Sequence, residues 1–405
     1  MTPVWNFRIP FRSLPSSLFA CQFPKSNQGR RFISSTTASS SNPSTTTPTV
    51  TNTKWPPSSP LKILFCGSDP FSIASLTALH AESNTDSSLI SSLEIITRPP
   101  KRTGRGLKTI TTVPLTSFTR DELDLPVHEI DTFTGWTPPR PYDLVLTVSF
   151  GLLVPERILK AARYGGLNVH PSLLPDLRGA APLQWTLLKG RTGTGVSVQT
   201  MHPKVFDRGV VVARRKVEVP KEGECTVEEL RGAVEGVAGE MLVGVLREGS
   251  FVGVGVEGSG GEGGEGVVEN APKITKEDSR VRWKSWGCDE LMRRLRVLGQ
   301  VWEDVEWMAT AKETSKRIMY HELKDVSELY FSQASERAET KEPGNLFLWS
   351  PDGAAQNPLL LAFTCDTPPR VVQVAQTTVS GGQKGHGNKD ITRFLRRRDK
   401  ERIPC

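Results

Sequence analysis

Acidic residues are missing from the first sixty positions of this 405-residue chain. The same stretch carries Arg8, Arg12, Lys25, Arg30, Arg31 and Lys54 among many Ser, Thr and Pro residues. A basic, Ser-rich, acid-free segment has the composition of an organelle transit peptide, although Pro10 and Pro15 interrupt any long amphipathic helix. Arg30-Arg31-Phe32-Ile33-Ser34-Ser35 offers a processing region, and Ser34 to Pro60 reads as a linker. The whole chain has 51 basic and 44 acidic residues; without those six cations 45 face 44, and +7 falls to +1. Overall basicity therefore says little about nucleic acid, and RNA binding must be argued from local clusters.

Paired cysteines are missing too. The six cysteines, at 21, 66, 225, 288, 365 and 405, form no Cys-x-x-Cys, which excludes a zinc ribbon and argues against a disulfide framework. The six histidines show no His-x-x-x-His spacing. No run of about eighteen apolar residues is present to span a membrane. Gly-x-Gly-x-x-Gly is absent after the first strand, so the dinucleotide fingerprint fails. Gly382 to Asn388 misses a phosphate-binding loop because Asn388 stands where its lysine belongs. The expected state is a reduced, metal-free monomer away from membranes.

What is present alternates. Leu61 to Cys66, Leu93 to Thr97, Asp143 to Ser149 and Gly166 to His170 read as apolar strands between helical stretches. Ser68 or Asp69 can cap the first helix, with Pro70 in its first turn. That alternation predicts a mostly parallel, doubly wound sheet with ligands beyond the carboxyl ends of its strands. Thr226-Val-Glu-Glu229 fits a capping box for a helix over Val227 to Leu246. Gly253 to Asn270 is Gly- and Glu-rich, a linker candidate. Beyond it a helix is expected at Cys288 to Leu298, then short strands of a small β-rich domain.

Asn168 and His170 are the sharpest chemical signal. Two residues apart on one strand, they project from the same face, and Pro171 ends the ladder just after them. An Asn amide can donate to a developing oxyanion, and a His can move a proton near neutral pH. Asp207, before Arg208-Gly209, is either a turn residue or the carboxylate serving that pair. A second signal is Thr97 to Lys108, where Arg98, Lys101, Arg102, Arg105 and Lys108 stand without an acid. Glycines flank Arg105, so this segment reads as a mobile loop able to fit phosphates and splayed bases. Arg293-Arg294-Leu-Arg296 and a tail from Arg393 to Arg402 are lesser cationic clusters.

Asn168-Val-His170-Pro-Ser-Leu-Leu-Pro175, followed by Asp207, resembles the folate-dependent formyltransferases. The narrower resemblance is to the methionyl-tRNA formyltransferases. It rests on Phe65 to Phe71, Gly104 to Lys108, Arg178 to Gln184 and Ala271 to Asp278, and spans roughly residues 61 to 400. The resemblance implies a Rossmann-like α/β formyltransferase domain followed by a small OB-like β-barrel domain that helps hold tRNA. It implies Asn168, His170 and Asp207 as catalytic residues and Ser172, Leu173, Leu174 and Pro175 as a folate-contacting loop. It further implies Arg102, Arg105 and Lys108 as tRNA contacts, 10-formyltetrahydrofolate as donor and methionyl-initiator tRNA as acceptor, in the mitochondrial matrix. One departure stands out: Val210 occupies a place where that family often has a second acid. The expected division is 1–58 presequence and linker, 59–250 catalytic, 251–279 linker and 280–405 tRNA-binding domain with a basic tail. A small-amine formyltransferase, a formyl-folate hydrolase and an idle RNA- or folate-binding protein remain open alternatives.

Overall fold

The structure, a computed structural model, describes residues 55–57, 59–86, 88–255, 269–308, 313–333, 342–351 and 358–401. The expected transit peptide and most of the Gly-rich linker lie outside the described residues. The strands are β1 (Leu61–Gly67), β2 (Ile90–Thr97), β3 (Lys101–Thr103), β4 (Thr109–Thr111), β5 (Val127–Glu129), β6 (Leu144–Val148), β7 (Gly166–His170), β8 (Gly193–Thr200), β9 (Val211–Glu218), β10 (Val301–Met308), β11 (Glu313–Asp325), β12 (Phe347–Trp349), β13 (Leu359–Phe363) and β14 (Val371–Val379). The helices are α1 (Pro70–Thr85), α2 (Pro114–Phe118), α3 (Glu156–Ala161), α4 (Pro182–Leu188), α5 (Val227–Glu248), α6 (Cys288–Leu298), α7 (Ser327–Gln333) and α8 (Gly387–Glu401).

The first sheet has seven strands in the order β5-β2-β1-β6-β7-β8-β9. Pairing is parallel from β5 through β7 and antiparallel for β8 and β9. β1 and β6 are buried almost throughout, as strands covered on both faces must be. From β1 the chain builds outward to β2 and β5; it then returns to add β6 and β7 on the other side. That reversal opens a crevice at the carboxyl ends of β1 and β6, and β7 ends beside it.

Local chemistry explains the helix boundaries. Asp69 caps α1 by accepting from the Ser72 amide at 3.0 Å. Thr226 and Glu229 form the capping box of α5. Trp55 stacks edge-on to Tyr164 and Phe251, and its indole N–H donates to the Arg247 carbonyl at 3.2 Å. Trp55 thus packs with the catalytic body, ahead of the boundary expected at residue 59.

The second sheet is antiparallel, in the order β10-β11-β14-β13-β12. It forms the small β domain, with Trp283, Trp286, Tyr320 and Val372 in a core that α6 and α8 help close. The basic tail from Arg393 is largely the helix α8, because Ile391 and Leu395 bury one side of it. Arg293 and Arg294 both pair with Glu290, which neutralises much of the α6 cluster. Asn388 is an internal clamp: its amide donates to the Val374 and Ala375 carbonyls.

The stretch from Arg178 is loop until Pro182, since Gly179 takes φ +126° and Arg178 forms a parallel bridge with Asn270. One local expectation shifts. The cationic segment after Thr97 is a short antiparallel hairpin, β3 with β4, turned at Gly104 and Gly106 with φ +77° and +75°. The sequence shows the glycines but hides the two three-residue strands that flank them.

Candidate active site

β7 delivers Asn168 and His170 to the crevice, and the loop between β8 and β9 brings Asp207 over them. The Asp207 carboxylate is the meeting point. Asn168 Nδ2 donates to its Oδ1 at 3.3 Å, and Gln199 Nε2 donates to the same atom at 3.1 Å. The Gly179 amide donates to Oδ2 at 3.2 Å. His170 Nδ1 lies 3.6 Å from Oδ1, an ion-pair distance beyond hydrogen-bonding reach. His170 and Asp207 are both nearly buried, so these contacts act with little water between them.

Each side chain is also held from behind. The Thr147 hydroxyl on β6 donates to Asn168 Oδ1 at 2.8 Å, which fixes the amide with its N–H2 toward Asp207. His170 Nε2 lies 3.0 Å from the Leu177 carbonyl, a pure acceptor, so Nε2 carries the proton there and only Nδ1 faces the carboxylate. Leu177 reaches that position with φ +52°, and Asp207 itself has φ +52°. Gln199 Oε1 is buried without a hydrogen-bond partner, an acceptor left over for a ligand.

These groups line a cavity of about 560 Å³. Its walls include Phe150, Leu152, Leu153 and Val154, with Asp69, Ser149 and Arg231 at its polar side. Burial pushes the Asp69 carboxyl up, opposed by hydrogen bonds from the Ser72 amide and the Ser149 hydroxyl. Burial first, and then Arg208, pulls the neighbouring Arg178 guanidinium down. Volume and lining suit a ligand with a flat apolar body and a few polar edges.

A formyl transferase family model matches residues 61–246. The mitochondrial methionyl-tRNA formyltransferase of Saccharomyces cerevisiae is 31% identical over 322 residues, which are 68% of this chain and 78% of that protein. The chain belongs to the methionyl-tRNA formyltransferase family. The human mitochondrial member is 33% identical over 248 residues, covering 60% of this chain and 58% of its own. Among solved structures, HypX from Aquifex aeolicus in complex with tetrahydrofolic acid covers 79% of this chain and 44% of its own. Its 16% identity and TM-score of 0.43 make the overlay too loose to bear on the site.

Within this member of the family, the residues expected from sequence fall in three places. Asn168, His170 and Asp207 come together in the cavity. Ser172, Leu173, Leu174 and Pro175 do not line it. Ser172 is buried and donates to the Asp176 carbonyl at 2.7 Å, while the Leu174 amide donates to Ser197 Oγ at 3.0 Å. Ser172 and Leu173 border a separate recess of about 470 Å³. This loop therefore folds behind His170 and carries Leu177 to it. Arg102 and Lys108 are exposed on the β3–β4 hairpin, with Arg105 at its turn. Thr147, Leu177, Gly179 and Gln199 were not anticipated. Gln199 pairs with Asn168 across the β7–β8 ladder, a register that sequence periodicity alone does not reveal.

Proposed function

We propose that this chain transfers the formyl group of 10-formyltetrahydrofolate to the α-amine of methionyl-initiator tRNA in the mitochondrial matrix, acting as a monomer. The observation that carries the reading is the convergence of Asn168, His170, Gln199 and Gly179 on one carboxylate at the end of β7. The amine attacks the formyl carbon, and negative charge builds on the formyl oxygen. Asn168 Nδ2, its amide fixed by Thr147, donates to that oxygen. His170 Nδ1 takes the proton released from the amine, and Asp207 stabilises the charged ring. The proton returns to the folate nitrogen as the bond from the formyl carbon to that nitrogen breaks, releasing tetrahydrofolate. Gln199 Oε1 accepts an N–H from the incoming amine. The apolar wall takes the flat ring system of the donor, and the 172–175 loop supports the site from behind. In this reading residues 59–250 carry the chemistry and 280–405, with the β3–β4 hairpin, hold the tRNA. A small phosphorylated amine is a poorer fit, because Asp69 already occupies the α1 N-terminus where a phosphate would bind.

The test is formyl transfer to charged initiator tRNA. Asn168→Ala and His170→Ala should each lower turnover on the order of 100-fold or more without unfolding the protein. Near-normal turnover in both variants would sink the mechanism. Faster transfer to a small amine than to charged tRNA would favour the small-amine reading.

A further inference from the structure

We infer that the segment Glu269 to Pro272, which leads into the β domain, is a strap that sets the orientation of His170, with Glu269 as its positioning residue. The inference rests on the formyl-transfer reading above. The loop from Asp176 to Ala181 supplies two backbone groups to the site: the Leu177 carbonyl on His170 Nε2 and the Gly179 amide on Asp207. Three backbone–backbone bonds tie the strap to that loop, and a side chain ties it to the helix that follows. Leu177 N donates to Glu269 O at 2.7 Å, Ala271 N to Arg178 O at 2.6 Å and Ala181 N to Ala271 O at 3.1 Å. The Trp185 indole of α4 donates to Pro272 O at 2.8 Å. The fit is tight enough to require glycine, since a Cβ on Gly179 would collide with the Ala271 carbonyl.

Glu269 anchors the start of the strap. Its Oε1 pairs with Lys189 Nζ at 2.7 Å, and its Oε2 receives Arg191, which also grips Asp176. The Glu269 amide donates to Asp176 Oδ1 at 3.1 Å. Lys189 and Arg191 hold the carboxyl below its usual range. Strap and loop are thus locked by charge on one side and by a parallel bridge, Arg178 with Asn270, on the other. The Leu177 carbonyl stays on His170 only while the loop keeps this path.

Full-length Glu269→Ala and Glu269→Gln are compared with wild type for kcat, for KM toward each substrate, and for the His170 ring signals in 15N–1H spectra. Those signals are assigned by their loss in His170→Asn. A displaced loop should lower kcat about 10- to 100-fold in Glu269→Ala, as small misplacements near a reacting centre do. Both KM values should stay within about threefold, because binding is not what is lost. The His170 signals should move, and Glu269→Gln should recover part of both effects. Unchanged kcat and ring signals overturn the strap, and so does a loss confined to KM for tRNA. Should Glu269→Ala fail to fold, Trp185→Phe removes the donor to Pro272 and leaves a smaller ring beside Lys189, and unaltered kcat there overturns it equally. A wild type without transfer sinks the proposed function, while the ring signals still report on the strap.

Discussion

The amide of Asn168 is gripped at both ends, by the Thr147 hydroxyl on its oxygen and by Asp207 on its nitrogen. Asn oxygen and nitrogen are nearly isosteric, so the Asp207 carboxylate, which only accepts, sets which end faces it, and the Thr147 hydroxyl holds the oxygen in place behind. Thr147→Val keeps the shape and removes the donor. Turnover should then fall about 10-fold through a mispointed or mobile amide, with Thr147→Ser close to wild type. Equal rates in the two variants would show that Thr147 is only packing. Glu303 tests a different balance. Its carboxyl meets the hydroxyl of fully buried Tyr320, and burial pushes it above the usual carboxylate range. A raised folded value means the folded state holds this proton more tightly than the unfolded chain. Its contribution is favourable below the unfolded carboxylate range and is lost as pH rises through the folded value. Glu303→Gln should therefore be the more stable protein at neutral pH and the less pH-dependent one between about pH 4 and 7, by urea unfolding at several pH values. A lower urea midpoint at pH 7 would contradict this.

Among the elements, the β3–β4 hairpin invites the plainest test of RNA contact. The residues of its two strands are exposed, and among the described residues its ladder holds β3 and β4 alone. Arg105→Ala should reduce the slope of log affinity against log salt for charged tRNA by about 0.7 to 0.9, while donor affinity measured without tRNA barely changes. Loss of donor affinity with tRNA affinity intact would assign the hairpin to the wrong substrate. Elements of this kind also mark how far the sequence could be read. β1 and β6 are legible because largely apolar runs end in Gly or Ser, β7 because Pro171 closes it, and α5 because Thr226 and Glu229 announce its start. Asn168 and His170 followed from strand periodicity. From sequence the hairpin reads as a mobile loop, since strands of three residues, Lys101-Arg-Thr and Thr109-Ile-Thr, are too short to carry a pattern. Leu177 and Gly179 were beyond reach because they act through backbone atoms, and nothing in a leucine side chain foretells a left-handed turn aimed at a histidine.

For the molecule as a whole, Trp55 moves the boundary of what can be removed. A protein starting at residue 59 loses the edge-on contacts with Tyr164 and Phe251 and the bond to the Arg247 carbonyl. It should be about 1–3 kcal/mol less stable than one starting at residue 50, as a lower urea midpoint with an unchanged slope. Identical midpoints would make Trp55 an ornament of the fold. The hairpin has a consequence at this scale too, for how the protein behaves in a concentrated solution. Among the described residues neither outer edge of it is paired, and Leu107 and Ile110 stand 59% and 60% exposed on it. A small exposed ladder with apolar side chains is a template for a second copy, and like charge along it is what keeps copies apart. Lys101, Arg102 and Lys108 supply that charge whether or not RNA is near. Neutralising all three should make the free protein self-associate, visible as rising light scatter at low salt, and bound tRNA should suppress it. The cations proposed to contact tRNA would then also be the reason the enzyme stays dispersed while it waits.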